Sequence, residues 1–219
     1  MFNKFPLELY LTFLLTLLFT STYCAIIDLI CKSKDKKIND KQITQKELLY
    51  QYNKILPLVS LNSFLIIPIF LYISTYIYKI EYDHNKFDVL STLVSLFIGI
   101  FMIDFFFYTA HYIMHNKYLY KWSHKIHHEF DYPVGLEALY LHWFDLIFGN
   151  IIPLYLPILI LDNHIYTLLL WTIFTISSTV LIAHSSFNDK FHVNHHIYRN
   201  VNYGHRTYMD RIFKTEIIS

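Results

Sequence analysis

Residues 89–115 read VLSTLVSLFIGIFMIDFFFYTAHYIMH, an apolar run that ends in two histidines spaced four positions apart. A membrane-spanning helix needs about 20 apolar residues, so Val89–Ala110 predicts a span. Positions i and i+4 share one face of a helix, so the imidazoles of His111 and His115 can face one metal ion. This stretch therefore predicts a membrane helix that ends in a pair of metal ligands.

Outside this run the chain is also apolar. It has 219 residues, of which 54% are hydrophobic and 16% charged, whereas soluble domains contain about 25% charged residues. We expect an all-α, polytopic membrane protein with about four transmembrane helices and a histidine-rich helical cap. The first run reads as a retained helix rather than a cleaved signal peptide, because its apolar part is too long. The other predicted spans are Phe5–Ile30, Ile55–Tyr78 with a kink at Pro68, and a hairpin of Ile147–Leu161 and Ile165–Ala183.

Histidine is strongly over-represented, with thirteen in the chain, and it is costly in a bilayer unless it binds something or reaches water. Beyond HxxxH, two HxxHH motifs each place three imidazoles on one predicted helical face. His142 and His184 flank the hairpin, and we expect His84, His164 and His205 to have structural roles. The candidate metal ligands are His111, His115, His124, His127, His128, His142, His184, His192, His195 and His196.

Ten imidazoles exceed what one ion can bind and suit two. Neutral nitrogen ligands favour Fe, Zn, Cu or Ni over Mg or Ca, which prefer oxygen. No HExxH zinc hydrolase motif is present. We interpret the ten histidines as ligands of two redox-active iron ions, which would use this many imidazoles. Zinc could replace the iron in purified protein.

Charge predicts the orientation. The three crossings and the hairpin bring all the histidine motifs to one side of the membrane, and fifteen of the eighteen Lys and Arg residues fall on that side. Cytosolic loops carry an excess of Lys and Arg, so we expect the histidine face to be cytosolic. The net charge of +1 argues against a nucleic-acid partner.

Together these motifs resemble the fatty acid hydroxylase/sterol desaturase superfamily over about residues 88–215. Beyond histidine, the similarity lies in the segments 104–111, 122–128, 137–145, 202–204 and 210–213. Departures from the family pattern are Tyr112, where Arg is frequent, Trp143 for Pro, Met209 for Trp and Lys214 for Gly. We therefore expect residues 1–87 to form membrane helices with a lysine-rich cytosolic loop, and residues 88–219 to form the catalytic domain.

The resemblance implies an oxidoreductase that uses two Fe ions and O2 to hydroxylate or desaturate a lipid in the endoplasmic reticulum. A sterol, a sphingoid base and a fatty acid remain open as substrates. Cytochrome b5 and its reductase would supply electrons, since the four glycines form no GxGxxG motif. The loop Lys32–Lys54 would fix topology or, less favourably, dock that donor. Carboxylates expected to orient the imidazoles are Asp104, Glu137, Asp145 and Asp210.

Two other functions remain open. A histidine-rich metal transporter is one, although transport sites lie near the bilayer midplane, whereas these histidines lie at one edge of the predicted spans. An inactive homologue that serves as a scaffold is the other.

Overall fold

The computed structural model describes residues 5–33, 44–184 and 190–217, and these residues form helices and no named strand. The apolar helices of the bundle are α1 (Leu7–Ser33), α2 (Gln45–Leu61), α3 (Ile67–Ser74), α4 (Val89–Met114), α6 (Ile152–Leu161) and α7 (Ile165–Ser177). The other helices are α5 (Lys117–Trp122), α8 (Lys190–Tyr198) and α9 (Tyr208–Phe213). Three π-helical segments adjoin the long helices: Asn62–Ile66, Asp145–Ile151 and Ser178–Ala183. Three 3-10 segments occupy His84–Lys86, His124–Glu129 and Gly135–Leu139.

Four of the described helical stretches are long and apolar enough to cross a membrane. They are Leu7–Ile27, Lys46–Ser74, Val89–Met114 and Ile165–Ala183, and Asp145–Leu161 is a shorter apolar stretch. Large apolar side chains such as Leu18 and Phe97 are both 64% exposed, as lipid-facing residues are. The prediction of an all-α membrane protein with four long apolar helices is confirmed, and the protein is an integral membrane protein.

The second membrane helix begins ten residues earlier than the span predicted from Ile55. Thr44 caps α2: its Oγ1 accepts a hydrogen bond from the Glu47 amide at 3.2 Å, and its own amide donates to the Glu47 carboxylate at 2.7 Å. This reciprocal capping box explains the early start. The α2–α3 stretch also ends at Ser74, not Tyr78. Most of the lysine-rich loop, residues 34–43, lies outside the described residues.

Packing between distant parts of the chain positions the helices. α1 contacts α7, and α4 contacts α6. Between α4 and α7, Gly99 leaves room for the fully buried Trp171, whose indole N–H donates to the Leu154 carbonyl at 2.8 Å. The division at residues 87 and 88 stays a prediction, and α1 packs across it against α7.

One end of the helices is closed by short turns. Glu81 pairs through its backbone with Asn163 and Ile165, each at 3.0 Å, in an isolated bridge. His84 and His164 lie at this end, where they contact the Tyr166 hydroxyl and the Asp83 carbonyl. At 1.5 Å per residue, the 26 residues of α4 carry His111 and His115 to the opposite end. The prediction that His84 and His164 are structural fits these positions.

Candidate metal centre

The HxxxH motif is built on the last turn of α4. His111 lies in that turn, and the His115 amide donates to the His111 carbonyl at 3.1 Å as it ends the helix. The two imidazole ring centroids are 5.2 Å apart. The spacing of four therefore places both rings on one face, as the sequence predicted.

Each HxxHH motif, by contrast, divides its imidazoles between two groups. Residues His124–Glu129 form a 3-10 segment, and His128 leaves helical geometry with φ −88° and ψ 23°. His124 and His128 face one group and His127 faces the other. In α8, His195 joins the first group, and His192 and His196 join the second. The prediction that each motif presents a single ligating face was wrong.

The structure brings nine of the ten candidate ligands together. In each group the nitrogens that can bind metal lie within 4.8 Å of one another, so each group can hold a metal ion. The groups adjoin, since the rings of His128 and His196 are 4.7 Å apart. The five-histidine group contains His111, His115, His124, His128 and His195, and the four-histidine group contains His127, His184, His192 and His196.

Hydrogen bonds at Nδ1 orient five of these rings. A neutral imidazole has one N–H, so Nδ1 donation leaves Nε2 with a bare lone pair. The Nδ1 acceptors are the Tyr203 carbonyl for His111 (2.8 Å), Thr179 for His184 (2.7 Å), Val201 for His195 (2.6 Å), Phe130 for His196 (3.1 Å) and the Asp145 carboxylate for His124 (2.6 Å).

The nitrogen spacing fits a metal. The Nε2 atoms of His111 and His124 are 3.1 Å apart, and two bare lone pairs at that distance repel unless a cation lies between them. With a metal–nitrogen distance of about 2.1 Å, ligand nitrogens at right angles lie about 3.0 Å apart. Moreover, the buried Nε2 of His196 makes no hydrogen bond to any described residue. The residues present therefore fit metal ions in both groups.

Burial favours the neutral form of the imidazoles in the four-histidine group. It lowers the pKa of His127, His192 and His196 well below the usual value of 6.5, and the neighbouring imidazoles lower each pKa further. Burial also lowers the pKa of His184 to about 4, against an opposing hydrogen bond to the Thr179 carbonyl. A metal ligand must be unprotonated, so the site is prepared for metal at neutral pH.

Of the four carboxylates expected to orient imidazoles, Asp145 contacts one directly. Asp210 acts indirectly, through the loop that contains Tyr203. Its oxygens accept hydrogen bonds from the Tyr203 and Gly204 amides at 2.9 and 2.7 Å, and the Tyr203 carbonyl in turn contacts His111. Asp104 accepts from the Arg206 amide in the same loop at 2.6 Å and from the Met209 amide in α9 at 2.9 Å.

Glu137 has a different position, because its carboxyl accepts from the Gln51 side chain at 2.8 Å. Burial raises the pKa of Glu137 well above its usual value. It therefore joins α2 to the segment that precedes Asp145 instead of orienting a histidine.

Two further histidines lie outside both groups. His142 packs against Trp122 and Trp143, at ring distances of 5.0 and 5.5 Å. His205 Nε2 is 3.0 Å from the Ser178 hydroxyl, and burial lowers the pKa of His205 to about 3.

An apolar cavity of about 770 Å³ reaches the histidines. Its wall includes imidazoles from both groups, such as His111, His124 and His127, and it extends along α6 and α7 to Ile77 and Ile160 near the opposite end. This volume lies within the range of about 300–1,000 Å³ typical of small-molecule sites. An elongated apolar molecule can therefore lie along the bundle with one part against the metal-binding groups.

Sequence reasoning missed the backbone acceptors and Tyr203. Four of the five Nδ1 partners are carbonyls, which every residue carries, so no side-chain pattern marks them. The Asn202-Tyr203-Gly204 segment was the one available signal, since its loop supplies the carbonyl for His111.

Comparisons with known proteins identify the family of this chain. The family model described as Fatty acid hydroxylase matches residues 96–215, which include all nine grouped histidines. The chain belongs to the fatty acid hydroxylase family.

Among its relatives, the chain is 32% identical to fatty acid hydroxylase ahd1 of Mycosarcoma maydis, over 76% of this chain and 46% of the relative. It is 32% identical to very-long-chain aldehyde decarbonylase GL1-11 of Oryza sativa subsp. indica, over 58% of this chain and 54% of the relative. It is 28% identical to methylsterol monooxygenase 1 of Rattus norvegicus, over 67% of this chain and 55% of the relative. The chain thus spans about half the length of these curated relatives, and no solved structure matches it.

Proposed function

We propose that this protein oxidises the alkyl part of a membrane lipid with O2 and a pair of iron ions held by the nine grouped histidines. The observation that carries the proposal is the position of two adjoining histidine groups in the wall of one long apolar cavity. Metal, if bound there, would face an alkyl chain in a space from which water is largely excluded.

The donor set supports iron. Imidazole suits Fe, Zn, Cu and Ni, but zinc has no redox chemistry, and oxidation of a lipid by O2 requires a metal that changes oxidation state. When bound, iron supplies the activation of O2 needed to break an unreactive C–H bond. Zinc would fit the same nitrogens as a substitute in purified protein.

The residues of the chain supply binding and orientation. The Asp145 carboxylate and four backbone carbonyls hold the imidazole rings, and apolar residues of α6 and α7 hold the lipid. The elongated apolar cavity suits a sterol, a sphingoid base or a fatty acyl lipid, and the substrate class stays open among these three. Hydroxylation and desaturation remain alternative outcomes of this chemistry, because both begin at the same C–H bond.

Electrons must come from outside the chain. Such an oxidation consumes two electrons for each O2, and we propose cytochrome b5 with its reductase as the donor. We also propose that the protein lies in the endoplasmic reticulum with its histidines facing the cytosol, because of the Lys and Arg distribution. A tag after Ser219 should then be accessible from the cytosol. Glycosylation of an acceptor engineered there would contradict this orientation.

Lipid analysis tests the function. The wild type and His127→Ala would be expressed in a host that makes sterols and sphingolipids, with His84→Ala as a control at the opposite end of the helices. We expect an oxidised or desaturated lipid to accumulate with the wild type and the control but not with His127→Ala. Identical lipid profiles in all three strains would contradict the proposal and favour a scaffold. Metal uptake by liposomes that contain the protein would instead favour a transporter.

A further inference from the structure

Two tyrosine rings connect the five-histidine group to the surface. The Tyr203 ring lies 5.1 Å from the His115 ring and 5.5 Å from the His195 ring. On its other side it lies 5.2 Å from the Tyr112 ring. Tyr203 is buried, with 4% of its surface exposed, whereas Tyr112 is 56% exposed. Two aromatic contacts therefore join the candidate ligands to the outside of the protein.

This path ends at Tyr112, which lies in α4 one residue after His111. Tyr108, one turn earlier, stacks on Tyr112 at 6.1 Å and meets Tyr203 edge-on at 5.9 Å. The Tyr112 ring is thus held by two other tyrosines instead of moving freely at the surface.

The chemistry of tyrosine gives the path a function. A tyrosine is oxidised when it loses one electron and its phenolic proton. Electron transfer falls steeply with distance, so rings in contact pass an electron far faster than separated ones. If the iron pair reacts with O2 while the cavity holds no lipid, no substrate C–H bond is available, and the nearest oxidisable side chains or the histidines themselves would be damaged.

We propose that Tyr203 and Tyr112 form a redox relay that drains oxidising equivalents from the metal centre when no lipid is bound. This inference rests on the proposed function. Tyr203 gives one electron to the centre and its phenolic proton to water. The Tyr203 radical then takes an electron from Tyr112 and a proton from water, while Tyr112 releases its own proton. At the surface a soluble thiol gives the Tyr112 radical a hydrogen atom and becomes a thiyl radical, and two such thiyl radicals combine as a disulfide.

Rapid-freeze electron paramagnetic resonance tests the relay. Iron-loaded, reduced protein in detergent would be mixed with O2 without lipid, and O2 uptake would be followed in parallel. The variants are Tyr203→Phe and Tyr112→Phe, each of which removes one oxygen. Tyr118→Phe is the control. Tyr118 is 71% exposed in α5, where the Lys117 ammonium lies over its ring, and it contacts no candidate ligand. Iron content would show that every variant keeps its fold and site.

We expect the wild type and Tyr118→Phe to show a transient tyrosyl radical that narrows when ring-deuterated tyrosine is incorporated. Tyr203→Phe should lose this signal. Tyr112→Phe should show a longer-lived signal, because the Tyr203 radical can no longer take an electron from Tyr112. A radical trap should label Tyr112 in the wild type. O2 uptake without a tyrosyl radical, or an equal signal in all variants, would overturn the relay alone. Absence of O2 uptake by the wild type would overturn the proposed function and the relay with it.

Discussion

At the scale of single residues, the contact at Nδ1 decides what each imidazole can bind. Five rings donate Nδ1–H to a fixed acceptor and turn Nε2 inward. Four of these acceptors are neutral carbonyls, and the fifth is the buried carboxylate of Asp145, 2.6 Å from His124. Hydrogen bonds to an ionised group are about twice as strong as neutral ones. The His124 ring is therefore the most firmly oriented of the five.

Asp145→Asn should weaken metal binding while the protein remains folded. The amide keeps the shape of the carboxylate but loses its charge, and loss of such a partner lowers metal affinity by roughly 10–100-fold. Competition with a chelator, read as iron retained per chain, measures the change. Asp162→Asn is the control, because Asp162 accepts from the His164 amide and the Thr167 hydroxyl at the opposite end. Equal retention in both variants would contradict this role of Asp145.

The ligands were largely predictable from spacing, but their grouping was not. Nine of the ten predicted histidines lie in the two groups, because i, i+3 and i+4 repeats are visible in sequence. In both HxxHH motifs the histidines four positions apart share one group and the third joins the other, a division that depends on which distant segments supply the remaining ligands. His142 packs against two tryptophans instead, a tertiary contact that spacing alone does not report.

At the scale of helices, π-helical segments mark the approach to the site. Asp145–Ile151 begins at the residue that holds His124, and Ser178–Ala183 ends just before His184. Such segments often occur at functional sites. Hydropathy predicted the apolar runs that contain them, because length and composition suffice for that. It did not predict the π geometry, since one extra residue per turn leaves the apolar pattern almost unchanged.

Gly99→Ala should destabilise the contact between α4 and α7. In a helix alanine is favoured over glycine by about 0.8–1.0 kcal/mol. At this position, however, the new Cβ would lie 2.8 Å from the Trp171 ring, and such overpacking costs about 1–3 kcal/mol. We expect the clash to dominate and the midpoint of thermal unfolding in detergent to fall. Ile98→Ala, on the exposed side of α4, is the control. A higher midpoint for Gly99→Ala would show that α7 moves to accommodate the methyl group.

At the scale of the whole molecule, metal-binding groups and cavity form one site. The order of crossings predicted that all histidine motifs meet at one end, and the backbone pairing of Glu81 with Asn163 and Ile165 at the other end confirms the hairpin. The cavity was not predictable, because residues distant in sequence enclose it, such as Leu9 in α1 and Leu159 in α6. Which side of the membrane carries the site stays a prediction.

Leu159→Trp should shorten the cavity at the end far from the histidines. Leu159 lines the cavity there, and its carbonyl accepts from the Tyr78 hydroxyl at 3.0 Å. We expect the oxidised lipids formed in cells to shift towards shorter chains, as measured by mass spectrometry. Leu170→Trp is the control, since Leu170 is 47% exposed in α7 and lies outside the cavity wall. An unchanged chain-length distribution in Leu159→Trp would show that the substrate does not occupy this end.

The most direct test of the account is the metal content of purified wild-type protein, measured as ions per chain. Two adjoining groups of imidazoles, eight of the nine buried, predict two ions per chain, with iron as the metal after anaerobic loading. His196→Ala, which removes one ligand from the four-histidine group, should reduce that content. A folded protein that binds one ion or none would contradict the paired metal centre on which the proposed chemistry depends.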